Sequence, residues 1–298
     1  MIQLSSVGTF AYVNVRSVLR STGLLRFLKP QFRSSIAKMV YRFSTKPGNP
    51  VLIQGSQMIL APSGSFAPID LVRDRFETGT TKVFEETLKP GNCVLDIGAN
   101  VGYFTLLAAR LVGPEGKVYA FEPEPSNYEV LVKNLGLNGY MNVETIPKAV
   151  SSEKGEAQLI LSGLDSGFHS LAHLNLPERG TVSVETITID SFLEERGWPH
   201  VDLIKMDIEG WEIAALDGMD RFFQRAGSVK LVIEFCPWIM GTVGITPESF
   251  IARLLSYRLD VNLITLDGAE PLEKSALPEL LDRLTRKDGY ANLYCTRQ

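Results

Sequence analysis

The sequence predicts an α/β protein: a doubly wound, mostly parallel sheet with helices on both faces, preceded by an N-terminal helical and hairpin extension. Three observations carry that expectation. From residue 93 onward, short apolar runs alternate with amphipathic stretches of helical length. A turn bearing Gly98 and Gly102 joins the first of these runs directly to a helix. An acidic residue, Glu122, closes the next run about 20 residues further on, where open α/β sheets meet their ligands. The extension is taken as residues 1–75 and the α/β domain as residues 76–298.

The elements follow in order. Residues 12–44 read as two short amphipathic helices separated near Pro30, with Leu28, Phe32, Ile36 and Val40 recurring every four residues. Residues 51–60 read as a hairpin around Gly55 and Ser56, and residues 81–88 as a helix stopped by Pro90 and Gly91. Strands are expected at 93–97, 117–122 and 143–147, with helices at 103–111 and 126–138 between them. Residues 156–161 and 183–189 alternate like antiparallel strands of an insertion. A strand at 201–207 precedes a helix through "WEIAALDGM", and a strand at 230–236 precedes a helix at 247–258. Residues 261–266 and 289–296 are expected to close the sheet as an antiparallel pair.

Charge is segregated along the chain. Eight basic residues and no acidic one precede Asp70; the remainder carries 22 Lys and Arg against 34 Asp and Glu, a net of −12. An acidic body argues against general nucleic-acid binding, which needs a positive surface for phosphates. The basic leader has three readings: an arm packed on the body, a helix bringing the chain into peripheral contact with a membrane, or an organellar transit peptide. Cys93, Cys236 and Cys295 are odd in number and form no C-x-x-C, so neither a disulfide framework nor a zinc site is expected. No apolar run has transmembrane length, and the start lacks the pattern of a secretory signal; a cytoplasmic setting is expected.

Two constellations carry chemistry. In "VLDIGANVGYF", a strand ends at Asp96 and Ile97, and Gly98, Ala99, Asn100 and Gly102 form the turn into the helix. Asn100 tolerates left-handed backbone better than most residues. Glu122, in "YAFEPEP" with Pro123, is placed to accept hydrogen bonds from both hydroxyls of a ribose. The glycines are four apart, without the spacing that admits a dinucleotide pyrophosphate, and an acidic residue opening the loop suits a cationic amino-acid ligand. In the second constellation Lys205, Asp207, Glu209 and Glu212 cluster within eight residues, and Glu234 interrupts the apolar strand "LVIEFCPW". A charge inside a buried strand costs several kcal/mol unless it is paired or faces a ligand.

At these residues the sequence resembles the FkbM family of methyltransferases. The resemblance rests on "VLDIGANVGYFTLLAA", "VYAFEPEP", "VDLIKMDIEGWEIAALDG" and "LVIEFCPW", in that order, over roughly residues 76–240. It implies a seven-stranded, Rossmann-like class I methyltransferase sheet, S-adenosyl-L-methionine as donor, and methylation of a hydroxyl on a sugar, glycan or polyketide-like product. It further implies that Asp96, Gly98, Ala99, Asn100 and Gly102 form the donor loop, that Glu122 takes the ribose, and that Ala149 lies by the adenine.

Methyl transfer from a sulfonium is an in-line displacement with a neutral leaving group, so alignment supplies roughly 7–11 kcal/mol of the catalysis. An alcohol nucleophile gains about 10²–10⁴-fold from a base. Asp207, Glu209, Glu234 and His169 are the candidates, with the carboxylates favoured; His169 sits in the insertion that would cover the acceptor, while His173 and His200 read as surface residues. The alternative for the acid cluster is a magnesium ion that orients the acceptor hydroxyl. The rival classes are a nicotinamide-dependent oxidoreductase, disfavoured by the glycine spacing, and a non-catalytic module with a vestigial site, disfavoured by the presence of Asp96, Glu122 and Asp207. "DIEGW" stands where amino-group enzymes acting on nucleic acids carry an Asn- or Asp-Pro-Pro motif, which favours oxygen as acceptor.

Overall fold

The computed structural model describes residues 49–60, 76–164, 166–273, 275–285 and 289–297. The helical arm expected at residues 12–44 lies outside the described residues. The described elements are β1 (Val51–Ile53), β2 (Ser56–Met58), α1 (Thr78–Thr87), β3 (Cys93–Ile97), α2 (Tyr103–Val112), β4 (Lys117–Phe121), α3 (Pro125–Asn138), β5 (Val143–Ile146), β6 (Ala149–Val150), β7 (Gly155–Ser162) and β8 (Glu178–Ile187). They continue with α4 (Ile189–Glu194), β9 (Leu203–Met206), α5 (Glu212–Asp217), α6 (Asp220–Arg225), β10 (Val229–Phe235), α7 (Pro237–Thr242), α8 (Pro247–Ser256), β11 (Asp260–Thr265), β12 (Gly268–Pro271), α9 (Leu277–Thr285) and β13 (Ala291–Arg297).

The main sheet runs β12-β11-β13-β10-β9-β3-β4-β5. Its β10-β9-β3-β4-β5 core is parallel, while β13 runs antiparallel to β10 and β11 antiparallel to β13. Strand order reverses between β3 and β9, which makes the carboxyl ends of β3 and β9 the topological switch point. The closing antiparallel pair is as predicted. The count is not: the sheet has eight strands rather than seven, because β11 turns back at Asp267 into the edge strand β12. "GAEP" is short and polar, its last three residues exposed, so it carries no alternation to read. The helix expected through "WEIAALDGM" is α5, which stops at Gly218, where a Cβ would meet the Ser151 carbonyl oxygen at 2.2 Å; α6 follows from Asp220. Helices α4, α6, α7 and α9 were not anticipated. The expected insertion strands form the antiparallel pair β7–β8, with β6 added alongside β8.

Period-two alternation separates two apolar cores. Leu95 and Ile97 of β3, Ile204 and Met206 of β9, and Ile233 and Phe235 of β10 pack into the core with Phe192, Leu216 and Phe250. Val94, Leu203 and Val232 face the other core, with Phe84, Phe104 and Leu107 of α1 and α2. Burying each such Leu or Phe is worth about 1.5–3 kcal/mol. Asp96, Lys205 and Glu234 alternate onto that second face, one per neighbouring strand, so the sheet carries a row of charged side chains near its carboxyl edge.

The hairpin turns at Gln54 and Gly55, both at positive φ as a two-residue hairpin requires, one residue earlier than expected. It docks on the body through buried Asn134. That amide accepts from the Ile59 N–H and donates to the carbonyls of Ile59 and Val101, tying hairpin, α3 and the glycine turn together.

Candidate functional site

The turn after β3 is built around Gly98. Its φ is +84°, and a Cβ there would sit 1.9 Å from the Asp207 carbonyl oxygen, so only glycine lets the turn pass the end of β9. The Gly98 and Ala99 amides both donate to the Phe121 carbonyl at the end of β4. Asn100 adopts left-handed backbone, as expected, and its side-chain oxygen accepts from the Val101 amide. Gly102 serves packing: a Cβ would meet Leu131 of α3 at 2.8 Å.

Glu122 is buried just past β4. One oxygen accepts from the Asn100 amide at 2.8 Å and the other from the Glu124 amide at 2.9 Å. Burial raises its pKa to about 7, against the lowering effect of those two amides. Each oxygen keeps a lone pair for a ligand.

These residues open onto a solvent-facing crevice. Gly98, Asn100, Glu122, Pro123, Asn127 and Ala149 line it together with His169, Ser170, Asp207, Glu209 and Trp211. The structure thus brings together the predicted Gly98, Asn100, Glu122, Pro123, Ala149, His169, Asp207 and Glu209. It does not bring Asp96, Ala99, Gly102, Lys205 or Glu234 to the crevice lining. Asp96 corrects the expectation that it faces a cationic ligand: its carboxylate alternates onto the α2 face, accepts from the Thr105 hydroxyl and lies in the field of Lys205. Its Oδ1 has no hydrogen-bond partner among the described residues.

Lys205 is buried and donates to Asp207 Oδ2 at 2.9 Å, with the Phe104 ring centroid 4.8 Å from its ammonium. Burial alone would lower its pKa; Asp207, Glu77 and Asp96 together raise it above the ordinary value, so it stays charged. Glu234 is pushed well above the carboxylate range by burial and by Glu209 and Asp207. Glu212 caps the turn that carries Asp207 and Glu209: it accepts from the amides of Ile208 and Gly210, and burial raises it to about 7. The Ser170 hydroxyl donates to the Glu209 carbonyl, tying the insertion to the same turn.

His169 is not arranged as a base at Nδ1, which accepts the Ser162 amide at 3.0 Å; the neutral ring then carries its proton on Nε2. His173 and His200 are exposed, as read from the sequence. Sequence reasoning missed Glu77 and Asn292. The Asn292 amide donates to Glu77 at 2.7 Å, and burial raises Glu77 to about 7 although Lys205 lowers it. Glu77 precedes α1, where a carboxylate reads as a helix cap. Trp211, whose indole N–H donates to Ser151, follows Gly210 in the conspicuous "DIEGW" segment and was legible there as a lining residue.

A parallel sheet reversing its order at a glycine turn, with a carboxylate ending the neighbouring strand, is a nucleotide-binding α/β architecture, one that class I S-adenosylmethionine-dependent methyltransferases share. The model of the methyltransferase FkbM domain matches residues 96–262, more than half of the chain, and the chain belongs to that family. It is a methyltransferase whose methyl donor is S-adenosyl-L-methionine. Among curated proteins it is 29% identical over 198 residues to the methyltransferase sdnD of Sordaria araneosa, covering 55% of this chain and 76% of that one. It is 23% identical over 201 residues to the hexuronic acid methyltransferase AglP of Haloferax volcanii, covering 67% of this chain and 77% of that one. It is 28% identical over 161 residues to the 31-O-demethyl-FK506 methyltransferase FkbM of Streptomyces tacrolimicus, covering 45% and 61%.

Proposed function

We propose that the protein transfers the methyl group of S-adenosylmethionine to a hydroxyl of a sugar, glycan or polyketide-like acceptor. The observation that carries the reading is that Asp207 and Glu209 line the same crevice as Glu122. Donor-holding groups and proton-accepting groups thereby meet at one switch point. The relative named for 31-O-demethyl-FK506 supports oxygen as acceptor, and the one named for a hexuronic acid supports a sugar.

In this reading Glu122 accepts from the ribose hydroxyls, Gly98 and Asn100 offer backbone to the donor, and Ala149 and Pro123 flank the adenine. The acceptor oxygen attacks the methyl carbon, the carbon–sulfur bond breaks, and its electron pair stays on sulfur. The hydroxyl proton passes to Asp207 or Glu209. Lys205 holds Asp207 in place, and Glu212 and Ser170 hold the turn beneath Glu209. The test is a labelled-donor screen against hexuronic acids, glycans and polyketide-type alcohols. Transfer to an alcohol oxygen is expected, with Asp207→Asn lowering turnover by about 10²–10⁴-fold while donor affinity stays within about twofold. Transfer confined to amines or nucleic acid would contradict the reading.

The charge segregation supports a finer proposal, that the basic leader carries the enzyme to an anionic membrane surface holding a lipid-linked acceptor. Each Lys or Arg near such a surface is worth about 1 kcal/mol. Co-sedimentation with anionic vesicles at low salt is expected for the full chain and lost for a chain starting near Gly48; a full chain left in the supernatant refutes it.

A further inference from the structure

Three acidic side chains converge at the carboxyl edge of the sheet. One carboxylate oxygen each from Asp207, Glu209 and Glu234 lie within 4.8 Å of one another. Glu77 and Glu212 add to the field at Glu234, and Lys205 pairs with Asp207 Oδ2. A second observation is independent of that crowding. Glu234 is 92% buried, at 8% exposure, and its carboxyl group receives no hydrogen bond and makes no ion pair among the described residues. Among the described residues, other buried carboxylates each receive at least one hydrogen bond: Glu122 from two amides, Glu212 from the amides of Ile208 and Gly210, Glu77 from Asn292, and Asp96 at one oxygen from Thr105. Glu234 alternates onto the charged face of the sheet and points to the same place as Asp207 and Glu209, the two carboxylates lining the crevice.

A buried carboxylate with no partner either takes up a proton or is completed by a counter-charge, and three carboxylate oxygens converging on one point are placed for the second. We infer that Asp207, Glu209 and Glu234 form a binding site for a divalent, oxygen-preferring cation such as magnesium or manganese. The donor set is three carboxylates with no nitrogen or sulfur, which selects hard cations and leaves coordination positions for water and the acceptor. An acceptor hydroxyl on such a cation loses its proton more readily, and the proton passes to a carboxylate oxygen not engaged by the metal. The resulting alkoxide oxygen forms the new bond to the methyl carbon as the carbon–sulfur bond breaks toward sulfur. The role in catalysis rests on the methyltransferase reading; the binding of the cation does not.

Manganese binding to the full chain, freed of metal with chelator, is measured by electron paramagnetic resonance and calorimetry, with no acceptor or turnover involved. One saturable site per chain is expected, weakened at least tenfold by Glu234→Gln and by Asp207→Asn, with S-adenosylmethionine affinity unchanged in the glutamine variant. Magnesium is expected to compete. The wild-type protein serves as its own test should either variant fold poorly. Absence of saturable manganese binding up to about 10 mM, beyond the weakest range of built oxygen sites, overturns the inference, as does binding indifferent to both substitutions. The donor reading survives either failure, because donor affinity is measured separately.

Discussion

Gly98 and Gly91 both hold positive φ, at +84° and +88°, but only Gly98 is enclosed. A Cβ at Gly91 meets nothing within 4 Å, whereas at Gly98 it would collide with backbone of the opposite strand end. Gly91→Ala therefore incurs left-handed strain alone, about 1 kcal/mol or slightly more. Gly98→Ala is expected to cost several times that and to weaken donor binding, because the turn must move away from Asp207. Urea denaturation of the two variants in parallel checks this; equal losses would show that the close approach of the two strand ends is not real. The sequence made Gly98 visible through its place between a strand and a helix. It did not reveal that the constraint is the Asp207 carbonyl, since that contact joins residues more than a hundred positions apart.

At the scale of elements, the turn after β9 is the part most dependent on one side chain. Glu212 of α5 satisfies the amides of Ile208 and Gly210, and Glu209 between them sits at φ 55°. Glu212→Ala leaves two amides without their acceptor, each worth about 1–3 kcal/mol when buried. Turnover is expected to fall at least tenfold with donor affinity little changed, read by separating kcat from donor Kd; unaltered turnover would show that the turn holds its shape without the cap. The parallel strands and their helices were legible because each carries an apolar run or a helical stripe between turn residues. Asp207 and Glu209 were legible because charges stood at the end of such a run. Asp96 was misread because alternation, not proximity to the glycine turn, decides which face a strand residue occupies: Leu95 and Ile97 claim one core, so Asp96 takes the other. Glu77 and Asn292 meet Lys205 and Glu234 from opposite ends of the chain, and no spacing rule links them.

The molecule as a whole carries buried carboxyl groups whose titration opposes folding and favours donor binding. Glu122 and Glu212 are raised from 4.5 to about 7 by burial. The folded chain therefore binds more protons than the unfolded chain between those values. The stability they contribute is fully present below pH 4.5 and is lost as pH rises through about 7. Chelated, donor-free protein is expected to show a falling urea midpoint from about pH 5 to pH 8, flattened in Glu122→Gln; a midpoint that rises across this window in the wild type would contradict the burial of these groups. Donor affinity is expected to run the other way, tightening as Glu122 ionises and becomes an acceptor for the ribose hydroxyls. The claim on which the rest depends is that S-adenosylmethionine sits in the crevice between the Gly98 turn and Glu122. Calorimetric titration at about pH 8, wild type against Glu122→Ala, tests it most directly. One donor per chain is expected, with the variant about 10–100-fold weaker, the loss of a charge-assisted contact of roughly 1.5–3 kcal/mol. A wild type that does not bind the donor, or a variant that binds it equally well, would contradict the account.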